Sequence, residues 1–342
     1  MNLIELHMLQ SFPVSCLNRD DVGAPKSAVF GGCRRARVSS QCWKRAIRLY
    51  MQDELPEQAC SFRTRYVVDL IADALREREV PEDNARELAA SVAAHLNDID
   101  SRDKRRVKTA LLLSPQEVTG IAENLLHAME ADANKVDVKK VCRGVTTKDA
   151  ADIAVFGRMV ANDHTLMIEG AGLFSHALST HQSDNELDFF AAVDEKPPPD
   201  ATGAAITDTL EFNSACYYRY VGLNLDLLAE NLGQAFSAEE CTQVTRAFLR
   251  ASLMAMPAAR KNSMFGLNPP EHVFALRRSG QPLSLVNAFE RPVRANGGGY
   301  LDESAARMQG QWEKLKKLYG IEVSVEAALP PDSLDELLAK LV

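Results

Sequence analysis

The chain has 342 residues, of which 46% are hydrophobic and 25% charged, with a formal net charge of -8. That length and balance describe a globular chain with room for one large domain or two to three smaller ones, and they exclude a disordered protein. No run approaches the ~18 apolar residues of a membrane span, and the opening MNLIELHMLQ lacks a basic leader and carries Glu5, so a soluble, cytoplasmic protein with no membrane partner is expected. Seven cysteines at wide, irregular spacing, with no CxxC, predict reduced thiols rather than a disulfide framework or a zinc site.

Residues 3–9 alternate, with Ile4, Leu6 and Met8 set against Glu5 and His7, as in a half-buried strand. A loop with Asn18, Arg19, Asp20, Asp21 and Pro25 follows. A hairpin is predicted around Gly31-Gly32, where Ala36 and Val38 alternate with Arg35 and Arg37. Ser40 is read as the N-cap of a helix QCWKRAIRLYM. In it Trp43, Ala46, Ile47 and Tyr50 make an apolar stripe, while Lys44 and Arg48 stand i, i+4 on another side with Arg45 beside them. Like charges at that spacing repel by roughly a few tenths of a kcal/mol, a cost that a polyanion relieves.

From Lys26 to Arg48 the chain carries seven cations, Lys26, Arg34, Arg35, Arg37, Lys44, Arg45 and Arg48, and no Asp or Glu. The rest of the chain holds -15, the net -8 less this +7. Two readings stand: one aimed electrostatic site, or a solvated face balanced by acids that folding brings near.

Residues 60–150 read as a helical insertion: Val67, Leu70, Ile71, Ala74 and Leu75, then Leu88, Val92 and Leu96, then Val118, Ile121, Leu125 and Leu126 keep helical spacing. Within it, SRDKRRVK at 101–108 is either a second phosphate contact or a solvated helix end. DIAVFGRMV at 152–160 is strand-like with Gly157 as its break. Pro197 to Pro199 forbid regular structure, residues 200–210 are polar, and FNSACYYRYVGLNL alternates again as a strand, so a long protruding hairpin or loop is expected between two core elements. Ser237 with Glu240 forms a capping box for a helix ending by Pro257. A short strand at Val273–Leu276 and amphipathic helices at 302–319 and 332–342 complete the chain.

Pattern gives no enzyme and no cofactor. There is no GxxxxGK[ST] loop, and GAGLF at 170 is too fragmentary for a dinucleotide fingerprint. His176 and His181, at i, i+5, point about 140° apart on an ideal helix and to opposite faces of a strand, so they read as structural rather than chelating. Asp20 and Asp21 are adjacent on a loop and diverge, which suits a turn or an arginine partner better than acid–base work. Cations in the first half of a helix, beside a serine cap, suit phosphates. Tyr217, Tyr218 and Tyr220 near Arg219 offer stacking, with some of them core by alternation. An RNP1 sequence is absent. The residues alone lead to one nucleic-acid site on a nonenzymatic protein.

SCLNRDD, FGG, RRARVSSQCWKRAIR, IAVFGRM, STHQ, YYRY with NLDLLAENLG, and NAFE, in that order, resemble the CasC family, the repeated backbone subunits of the type I-E Cascade complex in CRISPR immunity. The resemblance implies an α+β fold. Its parts would be a palm with a modified ferredoxin-like, RNA-recognition-type sheet at 1–57, 175–182 and 217–342, helical fingers at 58–174, and a thumb β-hairpin at 183–216. It implies head-to-tail copies polymerised along CRISPR RNA beside other Cascade subunits, with the kinked guide displayed to target DNA. Asn18, Arg19, Lys26, Gln41, Lys44, Arg45 and Arg48 are then expected on the guide backbone, with Arg34 and Arg35 in the same basic set. Arg158 and Met159 are expected against a kinked nucleotide. Cys33 stands where relatives often have lysine after FGG. The thumb's apolar wedge falls on Ile206, with Thr207 at the ungapped position.

Two other classes fit parts of the sequence. A guide-processing or target-cutting endoribonuclease would use Asp20 or Asp21 but needs converging acids or a histidine base. A DNA-binding regulator would use SSQCWKRAIR as a recognition helix but needs a second helix and short turn before it, where a strand-like segment stands.

Overall fold

The computed structural model describes residues 1–131, 136–145, 150–192, 195, 206–260 and 262–342. Its first half runs β1 (Asn2–Ser15), β2 (Ser27–Phe30), β3 (Cys33–Val38), α1 (Ser40–Asp53), β4 (Phe62–Thr64), α2 (Val67–Arg76), α3 (Glu82–Leu96), β5 (Leu111–Leu113), α4 (Pro115–Ala131), α5 (Val138–Arg143) and α6 (Ala151–Phe156). Its second runs β6 (Gly172–Phe174), β7 (Ala177–Ser179), β8 (Glu186–Ala192), β9 (Ile206–Asn224), α7 (Leu225–Leu232), α8 (Ala238–Met254), β10 (His272–Ser279), α9 (Leu301–Tyr319), β11 (Val325–Leu329) and α10 (Leu334–Leu341). The chain divides into two compact units.

The first unit, Met1–Tyr50, Leu173–Gly222 and Leu249–Val342, holds a mixed α/β fold around a large antiparallel sheet. The sheet order is β11-β10-β1-β9-β7-β3-β2, with β6 and β8 also on β9. β1 and β10 pair from Asn2↔Ser279 to Leu9↔His272. β1 departs from the half-buried expectation: Glu5 and His7 are as buried as Leu6 and Met8. The reason lies in the cover over that face. Leu9, Tyr218, Phe274 and Leu276 share a cluster with Met308 and Trp312 of α9, and burying each such side chain contributes about 1.5–3 kcal/mol. The polar groups beneath are bonded inside the protein rather than solvated, except His7 Nε2, which has no hydrogen-bond partner among the described residues. Glu5 pairs with Arg278 at 2.5 Å and accepts from Tyr220 Oη at 2.7 Å and the Leu283 amide at 2.8 Å. His7 Nδ1 and Tyr218 Oη share a hydrogen bond at 3.0 Å.

The predicted β2–β3 hairpin forms, with Gly31 at φ 60° and Gly32 at φ 77°, the paired left-handed turn residues that match strand twist. β8 and β9 pair from Glu186↔Phe212 to Ala192↔Ile206 as a two-stranded arm, with every residue of β8 exposed. β8 lies within 183–216, where a hairpin is expected, whereas β11, paired with β10 between the two C-terminal helices, was not read from the sequence. The proline run at 197–199 and residues 200–205 lie outside the described residues.

The second unit, Met51–Gly172 and Leu223–Phe248, is mainly helical. The predicted spacings bury one face of α2, α3 and α4, joining Val67, Ile71, Leu75, Val92, Leu96, Val118, Ile121 and Leu125 in one core. The strand expected at 152–160 is instead the helix α6, which ends at Gly157 with φ 77°. An apolar run this short does not distinguish strand from helix by pattern, and the packing decides. Buried Asp152 takes the Ser61 amide and hydroxyl at 2.8 Å each and Gln52 Nε2 at 2.9 Å. At Gly157 a Cβ would meet Ile168 O at 2.9 Å and Gly170 N at 2.8 Å. Residues 101–108 form an ion-paired loop rather than a helix end, with Arg105 on Asp103 at 3.2 Å, Arg106 on Asp100 at 3.2 Å and Lys108 on Asp98 at 3.0 Å. Ser237 and Glu240 make the expected capping box, the serine hydroxyl taking the Glu240 amide at 3.3 Å and the carboxylate taking the Ser237 amide at 2.7 Å.

Candidate nucleic-acid interface

The interface is built where three segments of the first unit meet the start of α1. Ser39, one residue earlier than expected, is the N-cap: its carbonyl accepts from Cys42 and Trp43, and its Oγ from the Cys42 amide at 3.3 Å. The Ser39 amide in turn donates to Asn18 Oδ1 at 2.9 Å, so Asn18 fastens the preceding loop to the helix. The same loop is laced to the hairpin, since the Lys26 amide donates to Asn18 O and the Arg37 amide to Lys26 O, both at 2.9 Å. Asp20 Oδ1 accepts from the amides of Val22 and Ala24 at 3.0 and 2.9 Å. That is a turn-forming carboxylate, with one oxygen committed to the backbone.

Beneath α1, Trp43 and Ile47 are buried, and the Arg219 guanidinium lies 3.5 Å from the Trp43 ring centroid. Arg219 also donates to Ser252 O at 2.9 Å, and burial lowers its pKa to about 9. It is part of the core, not of a stacking surface. Tyr217, Tyr218 and Tyr220 are buried with it, so the stacking expected of this tyrosine group is corrected: β9 is covered on both faces here.

The outward side of α1 carries the cations. Gln41 and Arg45 are exposed, Lys44 and Arg48 half-buried. Lys44 Nζ sits 5.1 Å from the Phe174 ring centroid, and burial of its stem lowers its pKa. His176 Nδ1 accepts from the Ser40 amide at 3.3 Å, and its pKa is lowered by burial and by Arg37 and Lys26. The Cys42 thiol is pushed up by burial and drawn back by Lys26 and Arg45, which puts those two cations around one point of the helix. Arg37 Nε donates to Ser27 O at 3.1 Å. Among the described residues, Arg19, Lys26, Arg34, Arg37, Lys44 and Arg45 form no ion pair with a carboxylate. The balancing acids allowed by the sequence reading are therefore not at these side chains, in contrast to the paired cations of 101–108.

Two expected contacts are corrected. Arg35 is fully buried, donating to Phe30 O at 3.2 Å, Ser179 O at 3.0 Å and Phe289 O at 2.8 Å; alternation put it on an open face, and the 289–290 segment covers that face. Arg158 is buried in the second unit, paired with Glu117 at 2.5 Å and donating to Leu166 O at 3.0 Å. Its charge is spent inside the protein. Met159 beside it is 74% exposed, so it fills no core.

On the β8–β9 arm, Thr207 is exposed opposite Ala191, and the side chain of Ile206 lies outside the described residues. Leu187 and Phe189 share the arm face that carries Thr209 and Thr207 and are 71% and 70% exposed. Sequence reasoning missed them because ELDFF precedes the prolines without a complete strand pattern. It missed Phe174 too, a single aromatic with no periodic partner.

The expected structural role of the histidine pair agrees with its contacts. His181 accepts the Cys216 amide on Nε2 at 3.1 Å and stacks on Tyr300 with centroids 3.6 Å apart. Among the described residues, no group of three or more His, Cys, Asp or Glu could hold a metal ion, and no helix is long and apolar enough to cross a membrane.

A chain of a solved CRISPR RNA-guided surveillance complex, pre-nicking, is 29% identical and superposes with a TM-score of 0.82, covering 98% of this chain and 95% of that one. A chain of another CRISPR RNA-guided surveillance complex shares the fold at 24% identity and TM-score 0.71, over 99% of this chain and 98% of that one. No curated protein matches the sequence. The model of one family matches residues 4–336, and the chain belongs to that family, the CT1975-like proteins.

Proposed function

We propose that this chain is the guide-binding backbone subunit of a type I-E, Cascade-like CRISPR surveillance complex, bound along CRISPR RNA in head-to-tail copies, beside other Cascade subunits, and presenting the guide to target DNA. The observation that carries the reading is that Lys44 and Arg45, on the first half of α1, pair with no carboxylate among the described residues, in a fold shared over nearly its whole length with a chain of an RNA-guided surveillance complex. Cations on a helix whose opposite side is bolted to the core are fixed in place, which suits a phosphate backbone read without regard to sequence.

The strand order supports a ferredoxin-like palm. β10-β1-β9-β7 lie side by side, while β1, α1, β7, β9, α8 and β10 follow along the chain, the β-α-β-β-α-β pattern. We assign the palm to 1–57, 175–182 and 217–342, the fingers to 58–174 and the thumb to 183–216. The thumb is supported by the exposed β8–β9 arm. Asn18, Arg19, Lys26, Arg34, Gln41, Lys44, Arg45 and Arg48 hold guide phosphates in this reading, and exposed Met159 rests against a base. The subunit acts without catalysis in the cytoplasm; the turn role of Asp20 and the seven free cysteines support those two points.

Lys44→Ala with Arg45→Ala tests it. Binding to unrelated single-stranded RNAs should weaken alike, and the slope of log K against log salt should flatten by roughly 1.4, about 0.7 per lost phosphate contact. A changed sequence preference with an unchanged slope would remove the role. Guide-loaded protein with matched strands and divalent metal should leave them intact; cleavage abolished by Asp20→Asn or Asp21→Asn would replace the scaffold reading with the nuclease.

A further inference from the structure

A second basic feature of the first unit lies away from α1. Arg291, Pro292, Arg294, Asn296, Glu303 and Arg307 line an open cleft of about 550 Å³. Its backbone is rigidly held. Arg35 takes the carbonyls of Phe289 and Glu290 at 2.8 and 3.3 Å, buried Val293 bridges to His181, and the Val293 amide donates to Thr180 O at 2.9 Å. Arg291 and Arg294 therefore flank an anchored residue instead of riding on a free loop. Arg307 is aimed by Glu303 at 2.7 Å and by the carbonyl of Arg291 at 3.0 Å.

Three guanidinium groups face one carboxylate, and among the described residues Arg291 and Arg294 pair with no acid. Next to the cleft, Gly297, Gly298 and Gly299 have nothing within 4 Å of where a Cβ would stand. A ligand's backbone can approach the chain there without meeting a side chain.

We propose that this cleft is a second phosphate site, one that takes the sugar–phosphate backbone of a nucleic acid; the inference rests on the nucleic-acid reading above. Planar guanidinium forks match phosphate geometry. The lining has no large apolar side chain of the kind that anchors protein partners. The site is also separate from the α1 face. Gly31, at the hairpin turn, lies against Glu290, while α1 begins beyond the other end of β3. Six residues of strand at about 3.3 Å each put roughly 20 Å between the Gly31 turn and the start of α1. In this reading the cleft takes a different phosphate from the one at α1, belonging either to a later stretch of guide or to the target strand.

Arg291→Ala with Arg294→Ala, in the RNA-loaded assembly, distinguishes these sources. In one arm the salt dependence of guide retention is measured. In the other, binding of the loaded assembly to a matched DNA duplex is followed against salt. The expected result is a slope lower by roughly 1.4 in the RNA arm or 1.8 in the duplex arm, restored by Lys at both positions and not by Gln. Unchanged slopes in both arms, with an unchanged melting temperature, would overturn the proposal. So would assemblies that lose copies while both slopes hold, since the cleft would then grip an acidic protein surface. If Lys44→Ala with Arg45→Ala also left both slopes intact, the broader nucleic-acid reading would fail; if that pair flattened them and the cleft variant did not, only the cleft would.

Discussion

Arg158 and Met159 are neighbours in sequence, and the structure assigns them opposite consequences. The Arg158–Glu117 pair is 2.5 Å apart, with side chains 3% and 4% exposed. Arg158→Ala would leave Glu117 buried with, among the described residues, the Ser114 amide at 3.0 Å as its partner from outside the pair. Leu166 O would lose donors at 3.2 and 3.0 Å. Removing one member of such a pair costs about 3–5 kcal/mol, because an uncompensated charge stays inside. Replacing both, Arg158→Met with Glu117→Leu, should recover most of that, since neither desolvated charge remains. Met159→Ala, at a side chain 74% exposed, should stay within about 0.5 kcal/mol of the parent while weakening RNA binding. Urea unfolding followed by far-UV circular dichroism, beside RNA titrations over a salt series, separates these outcomes. An Arg158→Ala protein as stable as the parent, with a salt slope flattened by about 0.7, would refute the buried-pair argument and return Arg158 to the RNA surface.

Arg35→Ala should destabilise by at least about 2 kcal/mol, since it abandons several buried carbonyls, and should leave the RNA salt slope unchanged; denaturation and titration of one preparation check both. At Gly31, where a Cβ would fall 1.7 Å from Glu290 O at φ 60°, alanine should cost well over the ~1–2 kcal/mol of left-handed strain alone. Gly32→Ala, with nothing within 4 Å, should cost only that strain, and equal losses at the two glycines would refute the contact. Burial lowers the His7 pKa to about 3 from 6.5, so the folded state favours the neutral ring. Its contribution is fully present above about pH 6.5 and is lost as pH falls towards 3, by up to ~1.4 kcal/mol per pH unit. Unfolding free energies measured from pH 7 to pH 4 should therefore fall less steeply for His7→Gln than for the parent.

Local pattern carried what depends on neighbours along the chain. Helical spacing identified the buried faces of α2, α3 and α4, the glycine pair marked the hairpin turn, and the run from Lys26 to Arg48 announced the cation face. Alternation, however, says which way a side chain points and not what covers it. Glu5 and His7 stand on the polar side of the alternation and are buried because α9 closes over that face of the sheet; Arg35, on an open face by alternation, is capped by the 289–290 segment. Partners distant in sequence, Arg158 with Glu117 and Trp43 with Arg219, turned apparent ligands for phosphate or base into core. The same distance concealed the cleft of Arg291, Arg294 and Arg307, whose segment is held in place by residues more than a hundred positions away. Charge density was written in the chain, but which charges remain available to a ligand was decided by what the fold packed against them.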